Sequence, residues 1–412
     1  MFRFFYSIVW QFIGIILPII GISNKKIRIG NKGRKVSIST LKKWRSSLPD
    51  NAEIIWFHCA SLGEFEQGRP VMEALKKNNP STLIALTFFS PSGFEVRNNY
   101  SGADWIGYLP LDTYFNARKF VHVLNPSQAF FVKYEFWTNY FLQLKKNKSK
   151  LFCISVILRK EQRFFKWHGF IWKPTLKAVT HFFVQNESTF QLMKKIKFDN
   201  VTLSGDTRFD RVIEIAKSPA DLPWISSFKK NDFLVVIGSS YSEEESLMAM
   251  FLQRVNHIKV CVVPHEIHSS RIQESLLRFE KYGAVLCSSF QPEKNSETRV
   301  LIVDSIGMLS SIYSQANGVV LGGGFGKGLH NSLEIAVYGV PMAFGPNYKK
   351  FQEAIDLVRI GAAFPIESLE EFSSFIENAH YENSIPNAGK KYVKEHAGAT
   401  SAILKGIEKY SA

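Results

Sequence analysis

The stretch IIWFHCASLGEFEQGRPVMEALKK, Ile54 to Lys77, decides how this chain is read. Its first six residues are apolar but for His58 and show no polar alternation, as expected of a strand covered on both faces. From Arg69 onward the spacing is helical. A strand that passes into a helix through a tight turn is the repeating unit of parallel α/β sheets. The turn, Ser61-Leu62-Gly63-Glu64, carries a carboxylate at its tip, just before a helix N-terminus. That position favours the ionised form, so Glu64 is either a solvated helix-start acid or a group that takes a proton.

The same alternation extends outward in both directions. STLIALTFF, WIGYLPL, QAFFVKYE, LFCISVIL, HFFVQN and VTLSGDT read as further strands, separated by helical or turn segments. AKSPADLPW, Ala216 to Trp224, reads as a linker or surface loop. The pattern then restarts with DFLVVIGSS, KVCVVPH, GAVLCSS, RVLIVDS and GVVLGGG. The expected architecture is α/β, with two tandem Rossmann-like, doubly wound parallel-sheet domains and a cleft between them. The expected borders are 31–215 and 216–412, with a C-terminal helix free to pack back on the first domain. In such sheets ligands bind beyond the carboxyl ends of the strands, and each motif below falls there.

Charge divides the chain unevenly. The whole sequence carries +15, but residues 1–205 hold 30 Lys and Arg against 12 Asp and Glu, about +18. The rest has 21 against 24, about −3. The first half therefore meets something anionic: nucleic acid, an anionic membrane or a phosphorylated lipid. No zinc-finger or RNA-binding sheet motif is present, which argues against nucleic acid. The four cysteines (Cys59, Cys153, Cys261, Cys287) lie in or beside apolar runs with no C-x-x-C pair, as small buried residues in a reducing compartment. Residues 1–30 begin with an apolar run, Phe4 to Ile22, and continue into the basic NKKIRIGNKGRK. This reads as an uncleaved membrane anchor that dips into or crosses the inner leaflet, with its basic collar on anionic headgroups; a core helix is the alternative.

Three segments of the second half carry chemistry. VVLGGGFGKGLHNSLEIAVYGVPMAFGP, Val319 to Pro346, places Gly322, Gly323 and Gly324 directly after a strand and His330, Asn331 and Glu334 at a helix start. Glycines allow close backbone approach, and a helix start offers N–H groups to phosphate. The register fits neither the dinucleotide fingerprint nor the P-loop. Gly238, Ser239 and Ser240 end another strand, and Pro264 and His265 a third; hydroxyls and N–H groups at strand ends suit a phosphate or a base edge.

The glycine block resembles the donor half of GT-B nucleotide-sugar glycosyltransferases. In that class a Glu one turn into the helix holds ribose hydroxyls, and Glu334 is the matching residue. With HCASLGEFEQGRP, TFFSPSGFEVR, YLPLD, FFVKYEFWTNY and LSGDTRFD in order, the chain as far as about Gly361 resembles the 3-deoxy-D-manno-octulosonic acid (Kdo) transferases of lipopolysaccharide synthesis. The resemblance implies transfer of Kdo from CMP-Kdo to a lipid A precursor, a tetraacyl disaccharide bisphosphate, at the cytoplasmic face of the inner membrane. It implies Glu64, in the S-x-G-E turn, as general base, and Glu135 as a second functional acid. Lys133 replaces the first Glu of the family's E-x-E-L-W-P-N, Thr138 replaces its proline, and Arg208 stands at the lysine position of its G-N-x-K-F-D. PHE stands where the family has P-R-H, so an arginine contact is missing beside His265. Acceptor contacts are expected from Gly63, Ser92, Gly93, Arg97 and Lys133.

Basic groups and helix starts can absorb the charge of leaving CMP. With no Asp-x-Asp and no His cluster at ligand spacing, neither a metal nor a cofactor is expected, and no obligate protein partner is implied. Two readings compete: a GT-B lipid glycosyltransferase using a UDP-sugar, and a membrane-bound binding protein with a degenerate site.

Overall fold

The computed structural model describes residues 2–326, 328–381 and 387–410, so Lys327 of the glycine run lies outside them. The chain divides into two compact units, Met1–Arg211 with Ala397–Ala412, and Val212–His396. The first border falls inside the helix Thr207–Ala216. Residues 1–30 lie in the first unit, and so does the end of the chain, whose helix the sequence reading left free to pack back on the first domain.

The first unit is built on seven parallel strands: β1 (Ile54–Cys59), β2 (Leu83–Phe88), β3 (Trp105–Tyr108), β4 (Gln128–Val132), β5 (Lys150–Val156), β6 (His181–Val184) and β7 (Val201–Leu203). Their order is β3-β2-β1-β4-β5-β6-β7. All six residues of β1 are buried, and successive side chains serve opposite layers. Ile54 and Trp56 join a core with Tyr140, Phe141 and Leu144, whereas Ile55, Phe57 and Cys59 join one with Phe65, Val71 and Met72. Fully apolar strands follow from helices on both faces, not from any strand periodicity.

The second unit repeats the plan with β8 (Phe233–Ser240), β9 (Ile258–Pro264), β10 (Val285–Leu286), β11 (Val300–Ile302), β12 (Gly318–Leu321), β13 (Met342–Phe344) and β14 (Ala363–Pro365). The order is β10-β11-β9-β8-β12-β13-β14, again parallel throughout. GAVLCSS yields only the two residues of β10, because Cys287–Ser289 tightens into a 3₁₀ turn.

At the N-terminus α1 (Phe2–Ser23) is followed at once by a second helix, α2 (Lys25–Arg45), where the sequence reading had only a basic collar. Asn24 separates the two and accepts a bond from Ile27 N–H. One stripe of α1 docks on the first unit: Arg3 Nε donates to Asn139 Oδ1 at 3.0 Å and Tyr6 OH to Asp112 Oδ2 at 2.7 Å. Trp10 packs on Trp137 with ring centroids 5.2 Å apart. The opposite stripe, including Phe5, Phe12, Ile15 and Ile19, is exposed. An 18-residue window of α1 has mean hydropathy 2.0 and is only 11% buried, so length and composition would let it cross a membrane.

At the other end of the chain Ala399–Glu408 forms a helix whose Ile403 and Ile407 enter the core beside α3 (Leu62–Asn78). Asp210 caps it, accepting from Gly398 N–H and Thr400 N–H at 2.6 Å each. Replacing a capping carboxylate by alanine costs about 1 kcal/mol. Asp210→Ala is expected to lower the unfolding free energy of the first unit by that amount, read as a lower denaturant midpoint with the slope of the transition unchanged.

Candidate functional site

In the first unit β1 and β4 are neighbours, and the chain leaves them toward opposite faces of the sheet, which opens a crevice beyond their carboxyl ends. The segment leaving β1 supplies Ser61 as an extended N-cap and Glu64 one turn later. The turn expected before the helix is thus the first turn of α3. Glu64 is buried, and Ser61 Oγ donates to its Oε2. The segment leaving β4 turns sharply at Lys133, whose φ of 62° is left-handed and uncommon for a side-chain-bearing residue. Lys133 N–H is held by Ile154 O at 2.9 Å, and its Nζ lies 3.9 Å from Glu64 Oε1.

Two residues on is Glu135, whose carboxyl is pushed up to about 7. Burial is the main cause and the charge of Glu64 the second; the Trp137 side chain and Lys133 pull the other way. The crevice therefore brings together two carboxylates and a lysine, with one acid poised to change charge near neutrality. Pairs of acids in unlike surroundings are a common way to assign separate proton-handling roles.

Beneath them Trp137 Nε1 donates to His58 Nε2 at 3.1 Å. His58 Nδ1, 2.9 Å from Thr87 Oγ1, is then the protonated nitrogen. Full burial drives the His58 pKa down to about 3, so the ring stays neutral and acts as a fixed prop for the Glu135 loop. Neither His58 nor Ser61 was singled out from sequence.

The other first-unit candidates separate. Gly63 shares the first turn of α3 with Glu64. Ser92 opens the helix Pro91–Arg97, with its hydroxyl 2.9 Å from that of Ser90. Gly93 lies so close to the Ser61 turn that a Cβ there would meet the Ser61 carbonyl carbon at 3.0 Å. Arg97 is engaged elsewhere: Nη2 pairs with Glu66 at 2.8 Å and the guanidinium covers the Phe65 ring. Glu66 is shared with Arg69 and Arg211, which also hold Glu73, so Arg97 belongs to an ion network along α3. Arg208 is gripped by Asp206, with Nε and Nη2 at 2.8 and 2.7 Å from Oδ2.

The second unit has its own switch point where β8 meets β12. Gly238-Ser239-Ser240 ends β8, and Ser239 takes a left-handed φ of 52°. A Cβ on Gly322 would collide with Ser239 O, so the two loops touch only because glycine stands there. Glu244 ties them: its Oε1 accepts from Gly323 N–H at 2.9 Å and its Oε2 from Tyr241 N–H at 3.0 Å. Ser240 is spent on structure, its hydroxyl donating at 2.7 Å to the fully buried Glu245, which also pairs with Arg271.

Pro264 closes β9, and His265 after it gathers with Tyr241 and His330. Ring centroids lie 5.1 Å apart for Tyr241–His265 and 4.4 Å for His265–His330. Burial, reinforced by His265, lowers the His330 pKa to about 4, which leaves an uncharged ring surface suited to a flat base. Asn331 Nδ2 donates to Glu334 Oε1 at 2.9 Å. Asn331 Oδ1 and Ser332 Oγ are buried without a hydrogen-bond partner among the described residues. Glu334 sits on a single helical turn, Leu333–Ala336, shorter than the helix expected from Asn331 onward; Gly324, last of the run, packs its backbone on Gly345.

Two parallel-sheet units with such strand-end loops define the GT-B class of nucleotide-sugar enzymes. Solved structures of that fold align with the chain. A UDP-GlcNAc 2-epimerase from Neisseria meningitidis matches with TM-score 0.57 and 12% identity, covering 87% of this chain and all of its own. MurG from Acinetobacter baumannii matches with TM-score 0.54 and 12% identity, covering 87% and 99%. At this identity both speak for the fold alone.

Sequence relatives carry the assignment further. Residues 33–211 match the family described as 3-deoxy-D-manno-octulosonic-acid transferase (kdotransferase). The enzyme of that name from Aquifex aeolicus is 24% identical over 334 residues, 79% of this chain and 86% of its own. The one from Chlamydia muridarum is 25% identical over 358 residues, 83% and 82% respectively. By sequence the chain is similar to the Kdo transferases, and its fold is that of the GT-B glycosyltransferases.

Losing Glu244 would leave the Gly323 N–H unpaired and free the glycine loop. At about 1–3 kcal/mol for an orphaned buried donor, Glu244→Ala is expected to weaken nucleotide binding roughly tenfold, measurable by calorimetry.

Proposed function

We propose that the enzyme moves Kdo from CMP-Kdo to the hydroxyl of a phosphorylated lipid A precursor at a membrane surface, without a metal. The observation that carries the mechanism is the Glu64–Lys133–Glu135 group at the β1/β4 switch point. The acceptor hydroxyl must lose a proton as it attacks the anomeric carbon and CMP departs. Glu64, held by Ser61 at the start of α3, is placed to accept it, an effect worth roughly 10²–10⁴-fold. Once ionised, Glu135 adds negative charge to the group that receives the proton, while Lys133 steadies the pair.

The second unit holds the donor in this scheme. The Tyr241–His265–His330 ring surface takes the base, Glu334 the ribose hydroxyls, and the Gly238–Ser239 and Gly322–Gly324 loops lie near the phosphate.

A second reading has a specific observation behind it. A carboxyl titrating near 7, as Glu135 does, is well matched to a base working at neutral pH, so Glu135 can itself be the proton acceptor. Both readings predict that kcat/KM rises with pH to a plateau above about 7, and that Glu135→Gln removes this inflection. They differ in the size of the losses. With Glu64 as base, Glu64→Gln loses 10²-fold or more in kcat with CMP-Kdo binding retained, and Glu135→Gln loses about tenfold. The opposite order in single-turnover kinetics would make Glu135 the base.

The exposed stripe of α1, with α2's lysines behind it, supports association with the anionic cytoplasmic face of the inner membrane. Phe12→Lys combined with Ile15→Lys is expected to release the protein from neutral vesicles in flotation assays without changing its circular dichroism.

A further inference from the structure

Apart from the carboxylate crevice, the first unit holds a recess of about 470 Å³ walled by α1, α2 and the segment after β3. Arg34, Lys35, Lys42 and Lys119 line it, together with the apolar Pro18 and Leu111; no acidic side chain does. None of these four cations joins an ion pair with another side chain among the described residues. Arg34 is fixed in place, with Nη2 donating to Phe89 O at 2.6 Å and the guanidinium stacked 4.3 Å from the Phe89 ring. Its Nε, and the Nδ2 of Asn31 in the same wall, are buried donors with no hydrogen-bond partner among the described residues. Four uncompensated cations and two orphaned donors around one opening call for an anion with several oxygen acceptors.

The position of the recess narrows which anion. Phe89 N–H and Ser90 N–H both bond to Ala60 O, at 3.2 and 2.7 Å, one residue before the Ser61 cap that holds Glu64. The recess and the carboxylates therefore share one layer of loops at the carboxyl edge of the sheet. Its other side is α1, whose outer stripe is apolar and exposed. An amphiphile with acyl chains beside α1 and a phosphate in the recess would have its sugar close to the loop carrying Glu64.

We propose that this recess is the subsite for a phosphate of the lipid acceptor, an inference that rests on the reading of the acceptor above. The ligand chemistry is a phosphate monoester on an acylated sugar. A bilayer phosphodiester lipid offers a related charge, and the test separates the two.

Lys42 and Lys119 are exposed, so Lys42→Gln with Lys119→Gln in the full chain leaves the fold intact. Transfer from CMP-Kdo is measured in neutral detergent micelles with a bisphosphorylated acceptor and with its two monophosphorylated forms. The variant is expected to raise the KM of the bisphosphate about tenfold, with kcat and the KM of CMP-Kdo unchanged. One monophosphate should show the higher KM already with the unaltered enzyme and no further rise with the variant. Equal KM values for variant and unaltered enzyme on the bisphosphate would overturn the proposal, as would the same rise on all three acceptors. A rise that appears only when phosphatidylglycerol vesicles replace micelles would overturn it in favour of a bilayer lipid. If the unaltered enzyme transfers to none of the three, the acceptor reading itself fails.

Discussion

Strands β1 and β4 share a ladder, yet the helices that follow them pack on opposite faces of the sheet. Everything chemical in the first unit depends on that divergence. The two departing segments cannot close over the gap, so their first residues line a crevice that the hydrophobic layers leave unfilled. Glu64 enters it from one side, on the first turn of α3, and Lys133 and Glu135 enter from the other. The left-handed turn at Lys133 is the local strain that bends the second segment inward. The sheet fixes the separation of the carboxylates, and burial between the layers sets the Glu135 carboxyl near neutrality.

The second unit applies the same topology to a different task. Its crevice between β8 and β12 holds aromatic rings and glycine backbone rather than a pair of acids. Its buried carboxylates, Glu244 and Glu245, are spent on holding N–H groups, Ser240 and Arg271, so the loops keep their shape. The N-terminal helix belongs to the same economy of parts. Tyr6 binds Asp112, and Asp112 accepts from Asn139 and Tyr140 N–H at 3.1 Å each, capping the helix that follows Glu135. The apolar helix is thereby coupled to the loop that carries the chemistry.

Much of this was legible in the sequence because parallel strands advertise themselves. Continuous apolar runs separated by helical spacing have few other solutions, and strand-end glycines and acids mark the crevices. The helix α2 escaped notice for a physical reason: of its buried residues Gly30, Ser37 and Leu41, only Leu41 is a large apolar side chain, so they carry no hydrophobic period. Glu244 and Glu245, just after Tyr241, are buried, and two of the groups that hold them, Gly323 N–H and Arg271, lie far along the chain. Arg97 shows the reverse case, a cation at a plausible spot whose partner, Glu66, is visible only once α3 is in place. The titration of Glu135 depends on depth and on Glu64 across the crevice, neither of which a linear motif encodes.

The account turns on sugar being transferred from a cytidine-activated donor to a phosphorylated lipid. Mass spectrometry of a tetraacyl disaccharide bisphosphate incubated with the enzyme tests this directly, with CMP-Kdo and UDP-sugars offered in parallel. The predicted result is a lipid product heavier by whole Kdo residues, formed with CMP-Kdo only and undiminished by a chelator. Product formed only from a UDP-sugar, or none from CMP-Kdo while free CMP accumulates, would contradict it.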